Sequence, residues 1–146
     1  MGKTKRNLLL VLLGLILVGA ITGSYMFNKK GPDIANTSGV KVSAANLYET
    51  FYKDSALAKK NYLEKIVEVS GQVTRLNKNQ QAQSIILIKT NTAEGAINCT
   101  MEGPAGTNLK EGANIIVKGI CNGLGQGDAD LGILPDVYLS RCYIVE

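Results

Sequence analysis

Ile66-Val67-Glu68-Val69-Ser70-Gly71-Gln72-Val73 sets Val67, Val69 and Val73 on alternate positions, broken only by Gly71, with polar residues between them. A period of two puts one face of a strand in a core and the other in water. Gly71 within the run predicts a bulge or a sharp bend. The polar turn Asn77-Lys78-Asn79-Gln80-Gln81 follows, then a second strand, Ser84-Ile85-Ile86-Leu87-Ile88-Lys89. Ala96-Ile97-Asn98-Cys99-Thr100-Met101 is a third, with Ile97, Cys99 and Met101 alternating inward. Ile115-Ile116-Val117-Lys118-Gly119-Ile120-Cys121 is a fourth and Val137–Val145 a fifth. Five short strands at close spacing, with a bend-marking glycine in the first, predict a small barrel. Ahead of them the period is helical. Ser43 is a plausible N-cap, and Ala44, Leu47, Tyr48, Phe51 and Tyr52 recur at three- and four-residue steps on one face. A short second helix from residue 55 to about 61 is expected to carry Leu57 toward the same core. The expected fold is mainly β with an N-terminal helix, residues 43–61.

The N-terminal region is of a different kind. Residues 7–28 carry no charge and centre on Leu8-Leu9-Leu10-Val11-Leu12-Leu13. As a helix the run spans ~30 Å, the thickness of a bilayer's hydrocarbon core. Tyr25 and Phe27 lie at its outer end, where aromatic rings favour the headgroup level. A cleaved signal peptide competes with an anchor, because Val18-Gly19-Ala20 is an acceptable cleavage site. The apolar run continues past that site to Phe27 and ends in Lys29-Lys30, which favours an uncleaved anchor. No cysteine precedes Cys99, so a lipidated N-terminal cysteine is not expected. Lys3, Lys5 and Arg6 outnumber Lys29 and Lys30, so the N-terminus is expected in the cytoplasm. The expected order is a basic cytoplasmic tip (1–6), a single-pass anchor in the inner (cytoplasmic) membrane (7–28), a linker (29–42) and a periplasmic or otherwise extracytoplasmic domain (43–146). Residues 31–40, with glycine, proline, asparagine and serine, read as its tether.

Charge and composition exclude several functions. The 146 residues hold 16 Lys+Arg and 12 Asp+Glu, for a net +4. Five of the cations bracket the apolar run, so the part beyond it is slightly acidic and lacks the basic footprint of a phosphate-backbone binder. At 45% apolar and 19% charged residues the chain is not wholly disordered. It has no histidine, which removes His-metal sites, Ser-His-Asp triads and Cys-His dyads. Asp128-Ala129-Asp130-Leu131-Gly132, with Asp136 nearby, has glycine at the fifth position and no closing glutamate, so a calcium loop is not expected. Gly123-Leu124-Gly125-Gln126-Gly127 lacks the spacing of a nucleotide-binding loop. No paired motif supports a Ser–Lys nucleophile. We therefore expect no catalytic residue, no metal and no cofactor, and a protein that is not an enzyme.

The ordered motifs Leu47-Tyr48, Lys65-x-x-x-Val69-x-Gly71-x-Val73, Val117-x-Gly119-x-Cys121-x-Gly123 and Val137-x-Leu139-x-x-Cys142 resemble the tRNA_anti-like family over residues 43–146. That family consists of bacterial OB-fold domains, often behind an anchor or signal. The resemblance implies a five-stranded OB-like barrel behind the single transmembrane helix. Its name points to anticodon-binding relatives, which is analogy, since fold does not imply function. One departure stands out. Residues 102–112 are too short and too rich in glycine and proline for the helix that OB barrels place between strands three and four, so the N-terminal helix is expected to plug the barrel instead.

In such a barrel strands four and five are neighbours, so Cys121 and Cys142 can meet across them as a disulfide. The alternative is three buried thiols. A zinc site from Cys99, Cys121 and Cys142 lacks a fourth ligand. Single-strand binders stack bases on aromatics in a basic groove, and the first three strands have no aromatic residue. The loops that OB folds use for ligands are here residues 77–83 and 122–136. They contribute Asn77, Lys78 and Asn79 from one, and Leu124, Asp128, Asp130, Leu131, Ile133 and Leu134 from the other. The second loop can cap the barrel mouth or grip a partner. The expected function is a membrane-tethered extracytoplasmic binding module for a protein or glycan. The alternative is a cytoplasm-facing single-strand nucleic-acid binder.

Overall fold

The uncharged leucine-rich run folds as one long helix, α1 (Lys3–Phe27), in the computed structural model, which describes every residue except Met1, Lys29, Lys30, Pro32, Thr107 and Glu146. The chain divides into two units, residues 1–33 and 34–146. In the first, the leucine side chains of α1 are exposed. Among the described residues α1 is the one helix long and apolar enough to cross a membrane. The Thr22 hydroxyl donates to the Val18 carbonyl at 2.7 Å, so it places no unpaired polar group on the apolar surface. Helix formation starts at Lys3, so Lys3, Lys5 and Arg6 lie within the helix rather than ahead of it. The flanking Lys29 and Lys30 fall outside the described residues.

The second unit opens with an element that the sequence had assigned to the linker. Strand β1 (Val40–Ser43) runs parallel to β2 (Ile66–Lys78), Val40 beside Val67 and Ser43 beside Ser70. The segment before it is also fixed. Ile34 is only 1% exposed. Lys118 Nζ donates to the Ala35 carbonyl at 3.2 Å and lies 3.6 Å from Glu68 Oε1. The Gly39 N–H donates to the same Glu68 oxygen at 3.4 Å. The Lys118 and Glu68 side chains are 11% and 14% exposed, so each charge depends on the other and on backbone groups for its solvation.

Ser43 then caps α2 (Ala44–Lys53), its hydroxyl accepting from the Asn46 N–H at 3.2 Å. Asp54 ends α2 and caps α3 (Ser55–Tyr62), accepting from the Leu57 N–H at 3.0 Å. The face of α2 predicted to pack inward does so through Ala44, Leu47, Tyr48 and Phe51. Tyr52 is exposed instead, stacked on Tyr48 with ring centroids 6.1 Å apart. Leu57 is also exposed, and Ala58 takes the inward position. The break at Asp54 resets the helical phase, so the stripe of α2 does not continue into α3.

The barrel is closed by β2, β3 (Ser84–Lys89), β4 (Ala96–Met101), β6 (Val137–Val145) and β5 (Asn114–Leu124), in that order, with β5 returning to β2. Neighbours are antiparallel except β4 and β6. Strand β2 runs past the predicted end at Val73 because its two halves serve different partners. Residues Ile66 to Gln72 pair with β5, and Val73 to Lys78 with β3. The register shifts between Val73 and Arg75 and not at Gly71. Gly71 is needed for close approach, since a methyl there would collide with the Ile88 side chain and lie 3.1 Å from Ala44 Cβ. In β6, Leu139 and Cys142 both face the core although three positions apart. Arg141 takes a left-handed φ of 53° between them, and the register shifts opposite it, as a bulge requires.

Helix α2 packs over the end of the barrel where β4 and β6 begin and β5 ends. The Tyr48 hydroxyl donates to the Pro135 carbonyl at 2.9 Å. Gly95 lies against the Tyr48 ring, and Gly123 lies by Phe51 and Leu63. Between β4 and β5 the described residues of 102–113 form turns and no helix. Gly95→Ala would drive a methyl into the Tyr48 ring, and overpacking of this kind costs about 1–3 kcal/mol. A lowered thermal unfolding midpoint for that variant is expected; an unchanged midpoint would contradict the packing of α2 on the barrel.

Candidate functional site

The two candidate loops lie at opposite ends of the barrel. Asn77 and Lys78 close β2, and Asn79 opens the turn into β3. The Asn79 side-chain oxygen accepts from the Gln81 and Gln83 N–H groups at 3.0 and 2.9 Å, and Ala82 takes a left-handed φ of 61°. This asparagine is occupied in making its own turn. The turn adjoins Glu102, Gly103 and Pro104 at the far end of β4. The other loop joins the end of β5 to the start of β6, beside α2. The structure therefore brings Asn77, Lys78 and Asn79 together with each other, but not with the second group.

The second loop is a small ordered hairpin. Asp128 and Ile133 exchange two backbone hydrogen bonds, 2.9 and 2.8 Å. Asp128 Oδ1 accepts from the Asp130 and Leu131 N–H groups, both at 3.1 Å. Gly132 supplies the left-handed turn residue, φ 69°. Gly125 N–H donates to the Asp136 carbonyl at 2.8 Å, and Asp136 Oδ1 accepts from the Ala96 N–H at 2.9 Å, tying the base of the loop to β4. Leu124 packs on the core and Leu134 is half-buried. Leu131 and Ile133 remain 72% and 55% exposed. The loop thus divides its aliphatic side chains, with its base against the barrel and its tip in solvent. Among the described residues no three His, Cys, Asp or Glu side chains gather as metal ligands.

Two further surfaces were not singled out in the sequence. A groove of about 300 Å³ on the outer side of β2–β4 is lined by Thr74, Arg75, Lys89, Thr92 and Glu94. At the end opposite α2, a cleft of about 710 Å³ is lined by Met101, Ala105, Leu109, Ile115, Cys142 and Ile144. Its sequence signal was the short connection at 102–112, which has no helix to lay over that mouth. Beside it, Arg141 Nε donates to Glu102 Oε2 at 2.9 Å. Arg141, and after it a hydrogen bond from Tyr143, holds the Glu102 carboxyl below its usual range.

The three cysteines are free thiols, all buried. Cys121 lies opposite Leu139, not Cys142. The Cys142 sulfur sits over Gly119, where an added methyl would be 2.5 Å away. The Cys142 thiol lies beside Cys99 and, together with burial, pushes the Cys99 thiol well above its ordinary value. The bulge at Arg141 shifts the inward positions at the end of β6, so Cys142 lies beside Cys99.

The tRNA_anti-like family model matches residues 1–131. The match includes α1, which the motifs quoted above did not use, and it ends before β6. A comparison with curated proteins found no match. Among solved structures, a Klebsiella pneumoniae protein described as a "putative nucleic acid-binding lipoprotein" is similar in fold, with a TM-score of 0.52 at 20% identity, covering 80% of this chain and 100% of that one.

Two outcomes follow from the geometry. Tyr48→Phe leaves the Pro135 carbonyl without its donor and should cost about 0.5–1.5 kcal/mol, with faster amide exchange at the base of the hairpin than elsewhere in the barrel. Arg141→Ala should move the Glu102 carboxyl up toward its ordinary value in an NMR titration. A depressed carboxyl stabilises the fold above the unfolded value and loses that contribution as pH falls through the folded one, so the variant's acid transition should also lose part of its pH dependence.

Proposed function

Because the chain belongs to the tRNA_anti-like family of OB-fold domains, we propose that it is a membrane-tethered binding module and not a catalyst. Its N-terminus lies in the cytoplasm, and its barrel lies on the extracytoplasmic side. There the hairpin between β5 and β6 grips a protein or glycan partner. The observation that carries this reading is the exposed pair Leu131 and Ile133 on a tip closed by backbone hydrogen bonds. Aliphatic side chains held in solvent by an ordered turn lose little entropy on binding. They also suit a protein surface better than a sugar. The slightly acidic balance of the chain beyond Lys30 and the lack of aromatics on β2, β3 and β4 support the same side of the choice.

A second reading rests on the outer groove with Arg75 and Lys89, and on the nucleic-acid-binding description of the Klebsiella neighbour. It predicts a barrel on the cytoplasmic side and salt-dependent retention on single-stranded oligonucleotide resin.

The test substitutes Leu131→Ser and Ile133→Ser together, in solvent, where the fold should be unaffected. In a crosslinking pulldown from intact cells the double variant should lose the partners of the wild type while keeping its unfolding midpoint. An unchanged set of partners would sink the hairpin as the gripping surface. C-terminal reporters active only outside or only inside the cytoplasm score the side. Retention on the resin that falls with Arg75→Ala and Lys89→Ala, with an inside reporter, would establish the second reading instead.

A further inference from the structure

Strand β6 lies between β4 and β5, so Cys99 and Cys121 flank Leu139 from opposite sides. Two interstrand spacings of about 4.8 Å separate them, beyond the reach of a disulfide. Any bridge must therefore use Cys142. Its sulfur sits over Gly119, which leaves the room a side chain would fill, and it borders the cleft at the end away from α2. Cys121 is turned the other way. Its sulfur interacts with the Gly123 N–H, on the side covered by Phe51 and Leu63. Cys99, inward from β4, is the thiol beside Cys142.

We infer that Cys99 and Cys142, and not Cys121 and Cys142, form a disulfide when the domain folds in an oxidising compartment. The inference rests on the extracytoplasmic placement proposed above only for its occurrence in the cell, not for the pairing. The bridge would staple β4 to β6, whose ladder is parallel and interrupted by the bulge. It would enclose the 102–112 connection, β5 and the hairpin in one covalent loop.

The chemistry is thiol–disulfide exchange with a small or protein disulfide as oxidant. The Cys142 thiolate attacks one sulfur of that disulfide and expels the other as a thiolate, leaving a mixed disulfide. The Cys99 thiolate then attacks the Cys142 sulfur, forms the S–S bond and releases the second thiol. Two cysteine protons are lost, and the oxidant takes up two electrons. In the closed barrel both thiols are buried, and the neighbouring Cys142 thiol, with burial after it, holds Cys99 protonated, so exchange belongs to folding, before the core excludes the oxidant.

Trypsin separates the three cysteines, because Lys89, Lys110, Lys118 and Arg141 place them on peptides 90–110, 119–141 and 142–146. The full chain, unfolded with reductant in detergent, is refolded in a mixture of reduced and oxidised glutathione. Free thiols are then alkylated and the digest is read by mass spectrometry. The expected product is 90–110 joined to 142–146, with Cys121 alkylated. Cys121→Ser should give the same joined pair, and reductant should lower the unfolding midpoint of the wild type by several degrees while leaving Cys99→Ser unmoved. A join of 119–141 to 142–146, or three alkylated cysteines, overturns the inference. Because glutathione sets the potential in this experiment, its result does not depend on the side of the membrane. Thiols trapped in growing cells report on that separately. A bridge that forms on refolding but is missing in cells counts against the extracytoplasmic placement and leaves the pairing standing.

Discussion

The closure of the barrel depends on one strand serving two partners. The first half of β2 pairs with β5 and its second half with β3, and the register breaks between Val73 and Arg75 where the partner changes. For the strand to bend there, its concave side must approach the core closely. Gly71 permits this, with Ile88 and Ala44 filling the space a side chain would take. The same bend leaves the outer edge of the first half of β2 unpaired by β3. Strand β1 occupies that edge. An open edge of this length would otherwise invite pairing with another chain, so the segment that arrives from the N-terminal helix also covers the barrel's weakest flank.

The two ends of the barrel are built differently, and this governs where binding can occur. At one end α2 seals the mouth with Leu47, Tyr48 and Phe51, and the Tyr48 hydroxyl holds Pro135. The hairpin above it stands on a rigid base. At the other end the 102–112 connection crosses without a helix and leaves an apolar cleft. The side that α2 seals is the side with the exposed aliphatic tip, so a partner there meets a surface and not a pocket. Family membership accounts for the barrel. The hairpin and its exposed tip carry the functional reading.

The sequence made the strands legible because each is short, half-buried and flanked by turn residues. The runs at 84–89, 96–101 and 137–145 coincide with β3, β4 and β6. Ser43 was legible as a cap because capping is a local bond. The differences arise where the pattern of residue types does not carry the information. Strand β1 has four residues, too few to display a period, and it pairs in parallel with residues far along the chain. Leu57 followed a stripe that Asp54 interrupts. The cysteine pairing turned on a bulge at Arg141, whose backbone conformation nothing in the residue types around it announces. The two candidate loops were each recognisable as loops, but that they occupy opposite ends follows from strand direction in the closed barrel.

The segment ahead of β1 has a mechanical meaning. Tension transmitted through the helix α1 enters the barrel unit at Ile34 and reaches first the Lys118–Ala35 and Glu68–Gly39 contacts, then the ladder of β1 on β2. These contacts fasten residues 34–43 to β2 and β5, and none of them is one of the ladders that close the barrel. A pull at residue 34 would therefore strip residues 34–43 from the sheet before its closing ladders part, and the bonds of Lys118 to the Ala35 carbonyl and of Gly39 to Glu68 are the first to give.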